Sequence, residues 1–454
     1  MLEFVKGLND LMWSFILIFL LCGTGIFFTF SLKFVQVRKF GQAFKKTFGG
    51  VFKKGNNDDG GMTSFQSLAT AIAAQVGTGN LAGAATAIAS GGPGAIFWMW
   101  LSAFFGMSTM FAEATLAQKF KTKVDGQITG GPAYYIEKGL GSKKLACFFS
   151  VTIILALGFI GNMVQSNSIG DAFNTAFGIN PILVGVIVAI LSAFIFLGGV
   201  KRIASFTEKV VPFMALLYII GSLYILGSNL SAVGEAFKMI FIGAFSPQAL
   251  FGGAMGIGVK ESVRYGVARG LFSNEAGMGS TPHAHAVAKV KHPVEQAMVS
   301  MVGVFIDTFI ILTLTALVII SSGVLTYTDG VPSFTGIALT QQAFVSGMGS
   351  FGMQFIAIAL LFFAFSTIIG WYFFGEINAK YLFGKKGVAV YKIIVLICIV
   401  LGSAIKVELV WQLADTFNGF MVFPNLIAVL ALAKIVKSTM KEYENGEIDL
   451  DIGK

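Results

Sequence analysis

Charge is scarce in this chain. Asp, Glu, Lys and Arg make up 12% of its 454 residues, against 55% hydrophobic residues and a mean hydropathy of +0.79. A soluble chain of this length would carry about 25% charge and divide into more than one domain, so this is expected to be a polytopic membrane protein with one membrane domain spanning 1–454. Cysteine is nearly absent: Cys22, Cys147 and Cys398 lie far apart in apolar runs. That excludes a disulfide framework or a thiolate metal site and leaves packing as their role. His283 and His285 have no cysteine or carboxylate at ligand spacing, which argues against a zinc site and leaves a gate or packing role. With no Cys-His cluster and no glycine-rich phosphate loop beside a lysine, the chain has no recognisable enzyme machinery, and no catalytic residue is assigned.

What the chain does have is apolar runs of spanning length. The runs predict helices near 11–32, 63–90, 94–118, 145–174, 181–200 and 207–228, then 260–289, 294–323, 350–380, 388–405 and 409–437. That is an all-α protein with eleven crossings. The first run is preceded by Glu3 and Asp10 and ends without a small-residue cleavage site, so it reads as a retained helix and not a signal peptide.

Lysine and arginine collect after alternate spans, as at Lys33 to Lys54, Lys119/Lys121/Lys123, Lys201/Arg202, Lys289/Lys291 and Lys380/Lys385/Lys386. Cytoplasmic loops retain such residues, so the pattern places the N-terminus outside and the C-terminus in the cytoplasm of a plasma-membrane protein. Lys260, Arg264 and Arg269 run against it, on the outer side. The formal net charge of +9 then reflects topology, and no nucleic-acid partner is implied. Between spans, 229–259 and 324–349 read as short outer helices or hairpins, and 438–454 as a cytoplasmic tail whose stretch KEYENGEIDLDIGK is polar and frayed.

Two spans are interrupted at their centres. In the second, Gly77, Thr78, Gly79 and Asn80 sit inside AAQVGTGNLAGAAT; in the seventh, Ser273, Asn274, Glu275, Gly277, Gly279 and Ser280 precede Pro282. One reading of each break is a small-residue packing face. The other is unwound backbone lining a binding site, favoured by the polar company of both motifs and by their matching positions in the two halves. An offset of five spans makes the two helices cross in opposite directions, as an inverted repeat of 63–228 and 260–437 after an extra N-terminal helix requires.

The stretches FQSLATAIAAQVGTGNLAGAATAIASGGPGAIFWMWLSAFFGMSTMFAEATLA and LFSNEAGMGSTPHAHAVAKVKHPVEQAMVSMVGVFIDT resemble the signature regions of the alanine/glycine:cation symporter family. The resemblance implies a LeuT-type fold of two inverted five-helix repeats preceded by one helix, and sodium-coupled import of alanine or glycine. It implies no cofactor beyond sodium as coupling ion, and no obligate protein partner beyond the lipid bilayer.

Within that family, a half-helix N-terminus offers unpaired N–H groups to a substrate carboxylate, which points to Gly77, Thr78, Gly79 and Asn80. The likeness to LeuT-type transporters implies one sodium site at the Ala73 and Val76 carbonyls with Ser366 and Thr367, and a second at Asn80, Ser273 and Asp307. Phe272, Met278 and Trp371 are expected to limit the side-chain end to a methyl group. Gln165 and Asn167, with Ser273, Asn274, Glu275 and Gly277 of the second break, are further candidate lining residues. Glu275 has three open roles: holding the unwound segment, relaying a proton, or facing the substrate ammonium. Glu113, near the end of its span, is expected to pair with a lysine. Proton coupling through Glu275 is the alternative mode, and a channel or membrane-embedded enzyme the alternative class.

Overall fold

The computed structural model describes residues 2–49, 61–246, 258–328, 330–405 and 407–446. It is helical throughout apart from two short antiparallel hairpins. Among the described residues six helices are long and apolar enough to cross a membrane: Ala95–Lys119, Lys143–Phe177, Gly199–Ser228, Pro293–Ser322, Phe351–Ala404 and Leu409–Ala431. Ile190, Phe194, Leu216, Ile220 and Ile393 each stand more than half exposed on the outside of the bundle. Such an apolar girdle is costly in water and not in hydrocarbon.

Both expected interruptions are present. The first interrupted helix has halves Ser64–Gln75 and Ala84–Gly91, the second Val259–Asn274 and Pro282–Ala286. At one end of the bundle Ala84–Gly91 packs on Val259–Asn274, and at the other Ser64–Gln75 packs on Pro282–Ala286. The two therefore run side by side in opposite directions with their breaks level. Ser64–Gln75 starts with a capping box in which Thr63 Oγ1 accepts the Gln66 N–H and Gln66 Oε1 accepts the Thr63 N–H, both at 3.1 Å. Just before it, Met62 pairs with Ala288 in a parallel bridge: Met62 N–H donates to Val287 O and Lys289 N–H to Met62 O, each at 2.9 Å.

Around this pair, Lys143–Phe177, Pro181–Phe196 and Phe351–Ala404 form one packed group. Phe351–Ala404 is bent where Gly384 takes φ 66° and ψ −164°, a conformation that favours glycine, so it serves as two helices in series where 350–380 and 388–405 are expected. The expected outer segments contain the helices Leu230–Phe245 and Gly336–Met348 and the hairpin Tyr327–Thr328/Val331–Pro332; PQALFGGAMGI lies outside the described residues. A second hairpin, Thr122–Val124/Gln127–Thr129, follows the lysines after Ala95–Lys119 and turns through Asp125 and Gly126, both at positive φ. The Lys380 ammonium, 3.0 Å from Asp125, holds that carboxyl below its ordinary range.

The expectation of a frayed tail is corrected as far as residue 444: Ala433–Glu444 is a helix that buries Val436, Thr439 and Met440, and Glu444 pairs with Arg38 and Lys39. An apolar stripe facing the bundle overrides the polar composition there.

The extra N-terminal helix is continuous through a π-helical turn at Met12–Ile16 and packs on Ala95–Lys119 and Val407–Ala431. Asn9 Nδ2 donates to Gln412 O at 2.8 Å, Thr416 Oγ1 to Asn9 Oδ1 at 2.8 Å and Trp13 Nε1 to Asp415 O at 3.1 Å. Arg264 pairs with Asp10 and Arg269 with Asp415, so two of the basic residues that oppose the charge pattern are neutralised locally. Close approach is set at Gly25, where an added Cβ would lie 2.8 Å from Phe105 Cβ, whereas Gly23 has open space. Gly25→Ala should therefore destabilise the detergent-solubilised protein by about 1–3 kcal/mol through overpacking. Gly23→Ala should be neutral or stabilising by up to about 1 kcal/mol. Thermal unfolding of both variants checks the contrast.

Candidate functional site

Val76 leaves the helical region at φ −81° and ψ 91°, which frees the N–H groups that follow. The first two find side chains: Gly77 N–H donates to Asn80 Oδ1 at 3.0 Å and Thr78 N–H to Gln165 Oε1 at 3.2 Å. The chain re-enters helix through a π-helical turn, Gly79–Gly83, a wound-open form that recurs at functional sites. Gly77 has no room for a side chain, since a Cβ would strike Thr367 Oγ1 and lie 3.2 Å from Gln165 Oε1. Thr78 is fully buried, and its hydroxyl has no hydrogen-bond partner among the described residues.

Beside this break, Phe351–Ala404 brings up Ser366 and Thr367. Thr367 Oγ1 lies 3.0 Å from Ala73 O, 3.4 Å from Val76 O and 3.0 Å from Phe363 O; Ser366 Oγ lies 3.3 Å from Ala73 O and 2.8 Å from Phe363 O. Three carbonyls and two hydroxyls thus converge, an all-oxygen set of the kind hard cations take. Phe363 O has no side-chain signature, and for that reason sequence reading did not include it.

A second cluster joins the two breaks. Asp307, in the π-helical turn Phe305–Leu312, accepts from Asn80 Nδ2 at 2.7 Å, from Ser273 Oγ at 3.0 Å and from Thr308 Oγ1 at 2.9 Å. It is fully buried, and no lysine or arginine pairs with it among the described residues. Asn274 Nδ2 reaches Thr308 Oγ1 at 3.2 Å, and Gln75 Nε2 donates to Asn274 O at 2.7 Å. A Cβ on Gly79 would lie 2.9 Å from Ser273 Cα and 3.3 Å from the Phe272 ring, so the two breaks touch directly.

The second break is held by a residue expected to pair with lysine. Glu113 accepts the Gly277 N–H at 2.9 Å and the Gly279 N–H at 3.0 Å, and Asn425 Nδ2 donates to it at 2.6 Å. Asn425 Nδ2 also donates to Gly277 O at 2.9 Å, and the Tyr135 hydroxyl hydrogen-bonds Asn425 Oδ1. The lysine expectation fails because Glu113 points inward to an unwound loop. Its isolation in the charge-free run from Met62 to Lys119 was the available signal; Asn425 and Tyr135 gave none. Glu275 occupies the left-handed region at φ 58° and accepts from Ser280 Oγ at 2.5 Å and from the Trp371 indole.

Trp371 therefore lies at the second break, with Phe272 edge-on at 5.9 Å and Phe272 in turn 5.0 Å from Trp411. Gly277 faces the other way: its Cβ would meet Leu21, Leu426 and Thr109. Asn167 donates to Gly402 O at 2.9 Å and Ile405 O at 2.8 Å, tying Lys143–Phe177 to the C-terminal end of Phe351–Ala404. Met278 is buried, its N–H bonded to Glu275 O at 3.1 Å. His283 bonds Ser280 O at 2.6 Å and Asn378 Nδ2 at 2.8 Å, between Phe149 and Phe374, as a packed side chain would.

Two opposed membrane helices unwound at one depth, with oxygens gathered at the breaks, define a secondary transporter of the discontinuous-helix kind. The same fold occurs in the solved structure of MhsT in complex with L-phenylalanine. That structure has a TM-score of 0.56 and 16% identity, over 83% of this chain and 96% of the other. The chain belongs to the sodium:alanine symporter family, whose model matches residues 1–449; it is a membrane transporter and not an enzyme. It is 43% identical to the sodium/alanine symporter AgcS of Methanococcus maripaludis, over 97% of this chain and 96% of that one. In Bacillus subtilis it is 44% identical to the probable sodium/glutamine symporter GlnT (97% and 91% covered). There it is also 42% identical to the putative sodium/proton-dependent alanine carrier protein YrbD (98% and 93%).

Glu113→Gln keeps the shape but presents one acceptor oxygen and an NH₂ to two N–H groups. A hydrogen bond to a charged group contributes about 1.5–3 kcal/mol, so unfolding stability should fall by that order and amino-acid uptake by tenfold or more. Thermal unfolding and uptake by the reconstituted variant measure both, and wild-type values would mean the loop is held by its neighbours alone.

Proposed function

We propose that the protein imports small neutral amino acids, alanine and glycine, together with sodium by alternating access around the two breaks. The observation that carries this reading is the convergence of Ala73 O, Val76 O, Phe363 O, Ser366 Oγ and Thr367 Oγ1 at the first break. Sodium sits among these oxygens as cargo. Its binding fastens the inner half of the first interrupted helix to Phe351–Ala404, and sodium entry then decides whether the break is ordered enough to receive substrate. The substrate carboxylate docks at the break from Gly77 to Asn80, where it displaces the Asn80 and Gln165 side chains from the Gly77 and Thr78 N–H groups and takes a further hydrogen bond from the Thr78 hydroxyl. Asn80, Ser273 and Asp307 form the second cation position, where a carboxylate surrounded by neutral donors gains most from a positive charge. The architecture that goes with this reading is eleven crossings: 11–32 as an extra helix, then repeats 63–228 and 260–437, with the N-terminus outside and the C-terminus cytoplasmic.

A second reading, proton coupling, is favoured by the same Asp307 carboxylate, which a proton could neutralise as well as sodium. Labelled alanine uptake into proteoliposomes separates the two. Uptake that collapses when choline replaces sodium at fixed pH supports sodium, and uptake in choline driven by an imposed pH gradient supports the proton. Thr367→Val removes one oxygen at nearly constant volume and should raise the half-saturating sodium concentration about tenfold, equivalent to about 1.4 kcal/mol, while Thr367→Ser stays near wild type. Unchanged sodium dependence in the valine variant would remove this site.

Selectivity in this reading follows from Phe272, beside Gly79, and from the Trp371 ring edge-on to it. A packed wall rejects extra methylenes by about 1–3 kcal/mol, so Trp371→Leu should admit valine and leucine as competitors of labelled alanine and weaken glycine, which loses contacts. Failure of leucine to compete, with alanine affinity retained, would make Trp371 a packing residue.

A further inference from the structure

Away from the breaks, a cavity of about 900 Å³ is lined by Lys46, Lys121, Lys123, Lys289 and Lys291, with Glu295 as the acidic group among its described lining residues. Lysines that serve only to orient a membrane protein stay in water. Lys121 does not: it is 6% exposed, and its ammonium donates to Gln118 Oε1 at 2.7 Å and Ala288 O at 3.1 Å, with no carboxylate paired to it among the described residues. Burial draws it down to about 8. Glu295 is already engaged by Lys46 at 2.6 Å and by the Lys291 N–H at 3.3 Å. Among the described lining residues the cavity thus gathers five lysines against one carboxylate, and a concave cluster of one sign of charge focuses its field on an ion of the other.

Its position gives it leverage. Ala288, which accepts from Lys121, is the residue bridged to Met62, and Lys289 supplies the N–H bonded to Met62 O at 2.9 Å. Gln118 Nε2 adds bonds to Ala286 O at 3.3 Å and Ala288 O at 3.0 Å. The lining residues come from Phe40–Phe48, the start of Ser64–Gln75, the hairpin after Ala95–Lys119, the segment after Pro282–Ala286 and the helix Pro293–Val304, so one occupant would touch the ends of both interrupted helices at once.

We propose that this cavity is a regulatory site for a phosphate-bearing anion, a soluble phosphate compound or the headgroup of an anionic lipid, whose binding holds the Met62–Ala288 bridge closed. The binding claim stands on the cavity alone, and the effect on opening rests on the alternating-access reading. Binding of labelled inorganic pyrophosphate to the full-length protein in phosphatidylcholine nanodiscs tests the first without transport. Saturable binding with a rise in melting temperature, beyond chloride at equal ionic strength, is expected. Lys123→Gln/Lys291→Gln should weaken it at least tenfold. Glu295→Gln should tighten it several-fold, whereas Glu235→Gln, the same charge change at an exposed distant site, should leave it unchanged.

If phosphatidylglycerol nanodiscs give the same stabilisation and abolish the pyrophosphate response, the lipid headgroup is the occupant. If the pyrophosphate response persists there, it is the soluble anion. No response beyond chloride in either lipid, or equal tightening by Glu295→Gln and Glu235→Gln, overturns the proposal. Binding that leaves sodium-driven uptake from the opposite face unaltered overturns the gating claim alone.

Discussion

A peptide group released from a helix inside a bilayer has no water to turn to, and each unpaired N–H or C=O there costs several kcal/mol. Two helices of this protein are unwound at their centres, and the rest of the architecture answers that cost. At the first break Asn80 and Gln165 take up the N–H groups of Gly77 and Thr78. At the second, the Glu113 carboxylate takes up those of Gly277 and Gly279, and is itself satisfied by Asn425, which Tyr135 holds. Because these partners stand on different helices, satisfying a few peptide groups fixes the mutual position of a large part of the bundle.

What remains after that accounting is the functional surplus. The Thr78 hydroxyl has no partner among the described residues, the Ala73 and Val76 carbonyls face two hydroxyls of a neighbouring helix, and Asp307 is a buried carboxylate surrounded by neutral donors. The two ends of the broken pair are closed by different means. A main-chain bridge and buried amides join Met62 to Ala288 at one end; at the other, Arg264–Asp10 ties the N-terminal helix to Val259–Asn274 and Arg269–Asp415 ties Val259–Asn274 to Val407–Ala431. In the proposed cycle these are the contacts that opening must break, one set at a time.

Much of this was legible in the residues. Apolar length located the long helices, because a spanning segment must be long and uncharged. Glycines among polar residues located both breaks, because a continuous membrane helix has no use for them. By resemblance, Ala73 and Val76 were matched with Ser366 and Thr367, and their oxygens do come together. The direction of a side chain was not legible. Gly277 and Asn167 read as lining residues yet face other helices, and the hairpin after Lys121 and the helix Ala433–Glu444 depend on what they pack against.

By itself, then, the order of residues determined where the chain enters an apolar medium and where its helices must open, since both depend on local composition and on the cost of bare backbone. Only the tertiary structure decided who satisfies the opened backbone and where the lysines gather. Glu113 meets Gly277 across a separation of 164 residues and Lys121 meets Ala288 across 167. Such partners are chosen by the packing of helices against one another, and no local pattern in the sequence carries that information.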